Sequence, residues 1–171
     1  TVLLSVGLIP ENELTRDAGI VMDPRTNGAL VYENRETSVP GIFACGNALH
    51  VHDLVDFVTA ESMAAGAAAA DYVPAGELDR ERTVQVTTNA HIGYTVPQRF
   101  RADSDGVEFY FRVRRVFKES RIQVTCGDQV IASFKREHMA PGEMETIKIP
   151  KALLARIDGD TLHIAAEEVQ A

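Results

Sequence analysis

The sequence predicts an α/β region followed by an all-β sandwich, and three patterns support this fold class. Residues 2–6, Val-Leu-Leu-Ser-Val, form an apolar run with one serine, which is typical of a strand buried on both faces of a parallel sheet. Residues 54–72 are rich in alanine and predict one long helix. After residue 82, β-branched and aromatic residues alternate with polar ones, and this period of two predicts strands.

The first predicted domain covers residues 1–75. Its predicted elements are, in order, a strand at 2–6, a loop at 7–12, strands at 29–33 and 41–45, and the helix at 54–72. Small side chains would let this helix lie close to a sheet or a ligand. Close approach would explain Gly66, because glycine inside a helix costs roughly 1 kcal/mol relative to alanine. The breaker-rich residues 74–81 predict the linker to the next domain.

The second predicted domain covers residues 82–171 and is expected to contain six or seven short strands. One strand face would carry Val107, Phe109, Phe111 and Val113. The opposite, outer face would carry Glu108, Tyr110, Arg112 and Arg114, and its basic side chains are expected to be solvated. One helical turn is expected at residues 151–156. Many short alternating strands favour an immunoglobulin-like antiparallel sandwich.

One hairpin of this domain has a predicted register. The apolar residues within 122–126 and within 130–134 face the same side only if Cys126 pairs with Val130. The loop would then be residues 127–129.

Composition limits the functional classes. The formal net charge of −8 disfavours broad binding of nucleic acid or of an anionic membrane. Two cysteines, Cys45 and Cys126, do not make a disulfide framework, so a reducing compartment is expected and the predicted location is cytoplasmic. Because the chain begins inside an apolar run, we expect it to be a fragment of a longer polypeptide.

The most informative motif is residues 37–47, Thr-Ser-Val-Pro-Gly-Ile-Phe-Ala-Cys-Gly-Asn. It predicts a turn and a short buried strand that ends on Gly46, shortly before the long helix. In α/β proteins, cofactors are bound where a strand ends on glycine and leads to a helix N-terminus. The glycine-rich fingerprint GxGxxG that should open such a domain is missing from the sequence.

Residues 1–12 and 37–47, followed by the alanine-rich helix, resemble FAD-dependent pyridine nucleotide-disulphide oxidoreductases of the thioredoxin-reductase and NADH-oxidase type. The first domain would then be the C-terminal part of a Rossmann-like FAD-binding domain. The tail, with Tyr-Thr-Val-Pro-Gln at 94–98 and Pro-Gly-Glu-Met at 141–144, resembles a β-rich extension of some bacterial members.

The resemblance implies a function and a set of cofactor-binding residues. The full-length parent would pass hydride from NAD(P)H to FAD and on to an acceptor, and the isolated fragment would be inactive. Gly46 would lie at the flavin, and Asn47, where the family usually has Asp, would hydrogen-bond the ribityl chain. Val55, Asp56 and Phe57 would lie under the flavin, with their backbone N–H groups pointing at it.

The sequence assigns no catalytic residue, but His50 and His52 are candidates. They could transfer protons near the flavin or the substrate. They could ligate a metal, because alternate residues of an extended segment point the same way. They could also simply pack beside the flavin. Since no further ligand with matching spacing is visible, no metal site is predicted.

A second hypothesis belongs to another class. The sandwich would be an interaction or dimerisation module that docks a redox partner, and the fragment would have no activity of its own. The expected partners are the upstream part of the same polypeptide, a second copy in a homodimer, or a redox protein. Neither nucleic acid nor a membrane is expected as a partner.

Overall fold

The computed structural model describes residue 2 and residues 7–76 and 80–169. The helices are α1 (Glu13–Asp17), α2 (Val55–Ala75) and α3 (Lys151–Leu154), with a 3₁₀ turn at Gly46–Ala48. The strands are β1 (Thr83–Thr88), β2 (Ile92–Val96), β3 (Arg99–Arg101), β4 (Gly106–Val113), β5 (Ser120–Cys126), β6 (Gln129–Arg136), β7 (Glu145–Pro150) and β8 (Thr161–Glu168). We call residues 7–76 the N-terminal region and residues 80–169 the β region.

The strands of the β region form two sheets. The larger has the order β3-β1-β8-β5-β6, and the smaller has the order β2-β4-β7. Apolar residues from both sheets form one core, which includes Phe100, Phe109, Phe111, Ile122 and Leu162. Alternation along β4 is confirmed, because Val107, Phe109, Phe111 and Val113 are all buried. The helical turn expected near residue 151 is also confirmed, as α3.

The predicted antiparallel sandwich is wrong in one pairing. β1 and β8 are parallel, with Val86 opposite Leu162, so the larger sheet is mixed. A parallel pair needs a long connection between its strands, and the whole chain between β1 and β8 supplies it. Local alternation fixes which face of a strand is buried, but it does not select the neighbouring strand.

The predicted hairpin register is only partly right. Val124 pairs with Ala132, as expected, but a bulge then shifts the register. Cys126 therefore pairs with Gln129 rather than with Val130. The extra residue leaves Val130 exposed and lets Ile131 enter the core.

The predicted Rossmann-like α/β fragment is wrong. The described part of the N-terminal region contains no strand, only the isolated bridges Met22–Ala29 and Glu36–Phe43. Asn27 and Arg35 adopt positive φ angles of 61° and 69°, so the chain turns on both sides of the apolar run at 29–33 and this run does not extend into a sheet. Apart from Val2, the strand predicted at residues 2–6 lies outside the described residues.

The predicted long helix is confirmed as α2, but its expected packing is not. Only Glu61 and Ala65 of α2 are buried. A Cβ added at Gly66 would meet no atom within 4 Å, so close approach does not explain this glycine. Among the described residues, no helix has both the length and the apolar composition needed to cross a bilayer.

Specific polar contacts attach the N-terminal region to the β region. The side chain of Gln98 accepts a hydrogen bond from the backbone N–H of Val31 and donates one to Asp23, both at 3.0 Å. Arg101 forms a salt bridge of 2.6 Å with Glu33. The change from helix to sheet falls between Ala75 and Thr83, while the division into two domains stays a prediction.

Candidate functional site

Gly46 begins the segment that carries the candidate site. Its φ of 66° lies in the left-handed region, which favours glycine. The resulting turn directs the Gly46 N–H at Glu61 Oε2, at 2.8 Å, and brings the segment close to Val58 on α2. The sequence therefore places a glycine where the chain must turn back onto the helix.

Glu61 of α2 is the centre of a buried polar group of residues. Its Oε1 accepts hydrogen bonds from Arg35 Nε at 2.9 Å and from His50 Nε2 at 3.1 Å. Its Oε2 accepts one from His52 Nε2 at 3.0 Å, in addition to the bond from Gly46. The side chains of Glu61, Arg35, His50 and His52 are all at most 3% exposed. We call these four residues the Glu61 cluster.

The cluster is arranged to hold Glu61 as a carboxylate. Burial alone would raise the pKa of Glu61, but hydrogen bonds from His50 and His52 and the charge of Arg35 outweigh it and hold that pKa well below its usual range. Burial lowers the pKa of His50, so this ring is neutral at neutral pH. The carboxylate of Glu61 then balances the guanidinium of Arg35.

This arrangement determines where the histidine protons lie. A carboxylate accepts hydrogen bonds only, so His50 and His52 must each donate a proton from Nε2. In a neutral ring the other nitrogen, Nδ1, is then an acceptor. No described residue bonds to Nδ1 of His50 or of His52, although both atoms are buried. The cluster thus presents two buried Nδ1 atoms that the described protein atoms leave unpaired, and the one on the neutral ring of His50 is an acceptor.

Aromatic side chains surround the two histidines. The ring of Tyr110 lies 5.9 Å from the ring centroids of both His50 and His52, and Phe57 and Tyr94 complete the surrounding group. Burial raises the pKa of Tyr110 to about 12. The sequence placed Tyr110 on the outer face of its strand, but the N-terminal region covers that face, and Tyr110 is 2% exposed.

The structure brings a third side chain of a metal-ligating type, Glu61, to the two histidines, which the sequence spacing did not show. Ligand atoms of His50, His52 and Glu61 lie within 4.8 Å of one another. However, Arg35 and the Gly46 N–H already occupy both carboxylate oxygens, and a metal at Nε2 would displace the histidine protons. Metal-bound histidines usually donate a hydrogen bond from their other nitrogen, and neither Nδ1 here has a described partner. The donor set fits a hydrogen-bonded cluster better than a metal centre.

The predicted FAD-binding residues lie in the segment from the 3₁₀ turn at Gly46–Ala48 to the first turn of α2. Asn47 is exposed, and its Oδ1 accepts a hydrogen bond from the His52 N–H at 3.1 Å, which leaves its amide NH₂ free of any described partner. Val55 and Asp56 are exposed in the first turn, while Phe57 is partly covered. The N-cap residue, Leu54, makes no side-chain cap, so the first N–H groups of α2 remain available.

A cleft of about 460 Å³ opens beside the Glu61 cluster. Residues from both regions line it: Arg25, Thr26, His50, Val51, Tyr94, Arg112 and Pro141. Arg112 bonds to the carbonyl of Val51 at 3.1 Å and lies 3.4 Å from Asp53. The sequence placed Arg112 on a solvated strand face, whereas the structure places it at the junction of the two regions.

Sequence reasoning missed Arg35 and Glu61. The available signal was that Glu61 is the single carboxylate residue of the predicted helix between Asp56 and Asp71. Comparison with known proteins gives no further guidance, because the chain matches no protein-family model, no curated protein and no solved structure.

Proposed function

We propose that this chain supplies the flavin-facing segment of an FAD-dependent NAD(P)H oxidoreductase. One observation carries the proposal: Asn47, whose amide NH₂ has no described partner, accepts a hydrogen bond from the His52 N–H, three residues before the uncapped, exposed first turn of α2. These are the groups that the motif at residues 37–47 assigns to a flavin.

The donors at this site fit the polar parts of a flavin. The Asn47 NH₂ can donate to a ribityl hydroxyl, and the backbone N–H groups of Val55, Asp56 and Phe57 can donate to a ring carbonyl. The positive end of the dipole of α2 favours negative charge there. The carboxylate of Asp56, in the same turn, partly offsets this effect.

The Glu61 cluster would hold this segment in place. Glu61 bonds directly to Gly46, and it fixes His52, whose N–H in turn fixes Asn47. Bound FAD would supply the two-electron chemistry, and the chain would orient the flavin and exclude water. Because the described residues show no dinucleotide-binding fold, the adenylate half of FAD would be bound by another segment or chain.

The test uses the natural full-length protein that contains this chain. We expect it to purify with a flavin absorption spectrum. Replacing Asn47 with leucine removes a hydrogen bond and should weaken FAD binding roughly tenfold. Asn47→Asp, which restores the residue usual in the resembling family, replaces the NH₂ donor with a carboxylate acceptor to which a ribityl hydroxyl can donate instead, so this variant should bind FAD as tightly as the wild type.

Gln129→Leu provides a matched control. It removes an exposed amide from β6, far along the chain from the site, and should not change FAD binding. A wild-type protein that purifies without flavin and takes none up would contradict the proposal.

A further inference from the structure

The cleft beside the Glu61 cluster has two chemically different walls. The N-terminal region contributes Arg25, Thr26 and His50. The smaller sheet contributes Tyr94 from β2 and Arg112 from β4. A volume of about 460 Å³ is in the range of small-molecule sites.

The N-terminal wall offers an acceptor that needs a donor. His50 lines the cleft, is 1% exposed, and donates its Nε2 proton to Glu61. Its Nδ1 is buried, and no described residue bonds to it. Because a buried acceptor without a partner is destabilising, a ligand that donates a proton to Nδ1 is favoured.

Two side chains in the cleft have donor hydrogens without a strong acceptor among the described residues. Arg25 uses Nε to reach Asp23 at 3.3 Å, and none of the described residues accepts from its terminal nitrogens. The hydroxyl of Tyr94 reaches only the sulfur of Met144, at 3.9 Å, and sulfur is a weak acceptor. Because burial raises the pKa of Tyr94, its phenol keeps its proton at neutral pH.

The charges in the cleft restrict the class of ligand further. Arg25 and Arg112 are each paired with one carboxylate, from Asp23 and Asp53 respectively. The cleft is therefore close to electrically neutral, which suits one additional negative charge better than two. Since a guanidinium fork matches a carboxylate in a bidentate manner, a monocarboxylate is the best fit to the free end of Arg25.

We propose that this cleft binds a small hydroxycarboxylate, whose carboxylate lies on Arg25 and whose hydroxyl donates to His50 Nδ1 and accepts from Tyr94. The Glu61 cluster fixes His50 as the acceptor by holding its proton on Nε2. This site is independent of the flavin proposal, because it uses neither Asn47 nor the first turn of α2.

The experiment is a titration of the protein, labelled for NMR, with L-lactate and with 3-hydroxybutyrate, which differ in the spacing of their polar groups. We expect at least one of them to bind with roughly millimolar affinity and to shift the resonances of the His50 and Tyr94 rings. Acetate and propan-2-ol each lack one of the two groups and should bind roughly tenfold more weakly.

Two substitutions at His50 separate binding from structure. The side-chain amide of His50→Gln can still donate to Glu61 but lacks an acceptor at the position of Nδ1, so affinity should fall roughly tenfold. His50→Asn places an amide oxygen near the position of Nδ1 and should retain more of the affinity. Tyr94→Phe deletes only a hydroxyl and gives the same test if the His50 variants do not fold.

Arg25→Gln should lower the affinity for the carboxylate, and Arg121→Gln should not. Arg121 is the matched control because it pairs with Glu167 on the exposed side of the larger sheet. The proposal is overturned if neither hydroxycarboxylate binds, or if His50→Gln and Tyr94→Phe bind them as well as the wild type. Inorganic phosphate that binds more tightly than both probes would also overturn it, by showing a plain anion site.

Discussion

The two regions of this protein are stabilised in different ways. The β region has a core of many buried apolar residues drawn from two sheets. The N-terminal region has a much smaller apolar cluster, Ile20, Ala29, Val31, Leu49 and Val96, and the last of these belongs to β2. At the centre of the N-terminal region lies a polar group instead, the Glu61 cluster.

This difference indicates which changes should destabilise the N-terminal region. Apolar packing is non-directional and tolerates volume-conserving changes, whereas a buried charge depends on each of its partners. A buried pair is costly to break, because the remaining charge is left without compensation. We therefore expect the N-terminal region to respond sharply to single polar changes and to pH, and the β region to respond much less.

The largest expected effect is that of Glu61→Ala. It leaves the guanidinium of Arg35 buried without its carboxylate and leaves two histidine donors unpaired. We expect a loss of about 3–5 kcal/mol of stability, confined to the N-terminal region. Hydrogen exchange measured residue by residue should show loss of protection in α2, while β4 and β5 stay protected.

Glu167→Ala is the matched control for that experiment. Glu167 pairs with Arg121 at the exposed surface, so its loss should change the stability by roughly 0–1 kcal/mol. Equal effects of the two substitutions would show that Glu61 is not the centre of the N-terminal region.

The second-largest expected effect is destabilisation of the N-terminal region by acid. His50 has a pKa below its ordinary value of 6.5, so the unfolded chain binds more protons and stability falls as the pH drops through 6.5. Glu61 also has a lowered pKa, so its contribution is present above its ordinary value of 4.5 and is lost below it. We expect a loss of roughly 1–2 kcal/mol between pH 7 and pH 4.

Exchange protection of α2 at a series of pH values measures this loss, with β5 as the internal reference. In Glu61→Gln, the loss of stability that occurs below pH 4.5 should disappear, because the amide does not titrate. Parallel loss of protection in α2 and β5 would mean that the acid sensitivity does not originate in the Glu61 cluster.

The smallest expected effect is a gain in the stability of α2. Gly66 is exposed inside α2, and a Cβ there would meet no atom within 4 Å. Gly66→Ala should therefore stabilise α2 by about 1 kcal/mol through helix propensity. The midpoint of urea unfolding of the N-terminal region measures the gain. A destabilised Gly66→Ala protein would indicate that this surface of α2 packs closely against something in solution.

Local patterns predicted much of the β region. Alternation along β4 correctly placed Phe109 and Phe111 in the core, because the period of a strand is a property of a few neighbouring residues. The parallel pairing of β1 with β8 was not predictable in this way, since it joins residues such as Val86 and Leu162 that are distant in the chain. Burial of Tyr110 was missed for the same reason, as its cover comes from the N-terminal region.

The candidate site was partly predictable. Gly46 was found from its motif and His50 and His52 from their spacing, and the structure brings all three to one carboxylate. Arg35 and Glu61 were not found, because they are 26 residues apart and no local pattern joins them. The α/β prediction failed where turns at positive φ, at Asn27 and Arg35, bound the short apolar run at 29–33 on both sides.

The central claim is that Glu61 holds the ring protons of His50 and His52 on Nε2, while burial keeps the His50 ring neutral. The direct measurement is a long-range ¹H–¹⁵N NMR spectrum of the histidine rings at neutral pH. We predict a protonated Nε2 for both rings and a bare Nδ1 for His50. An unprotonated Nε2 on either ring, a proton on Nδ1 of His50, or a signal changed by added zinc and restored by a chelator, would contradict the account.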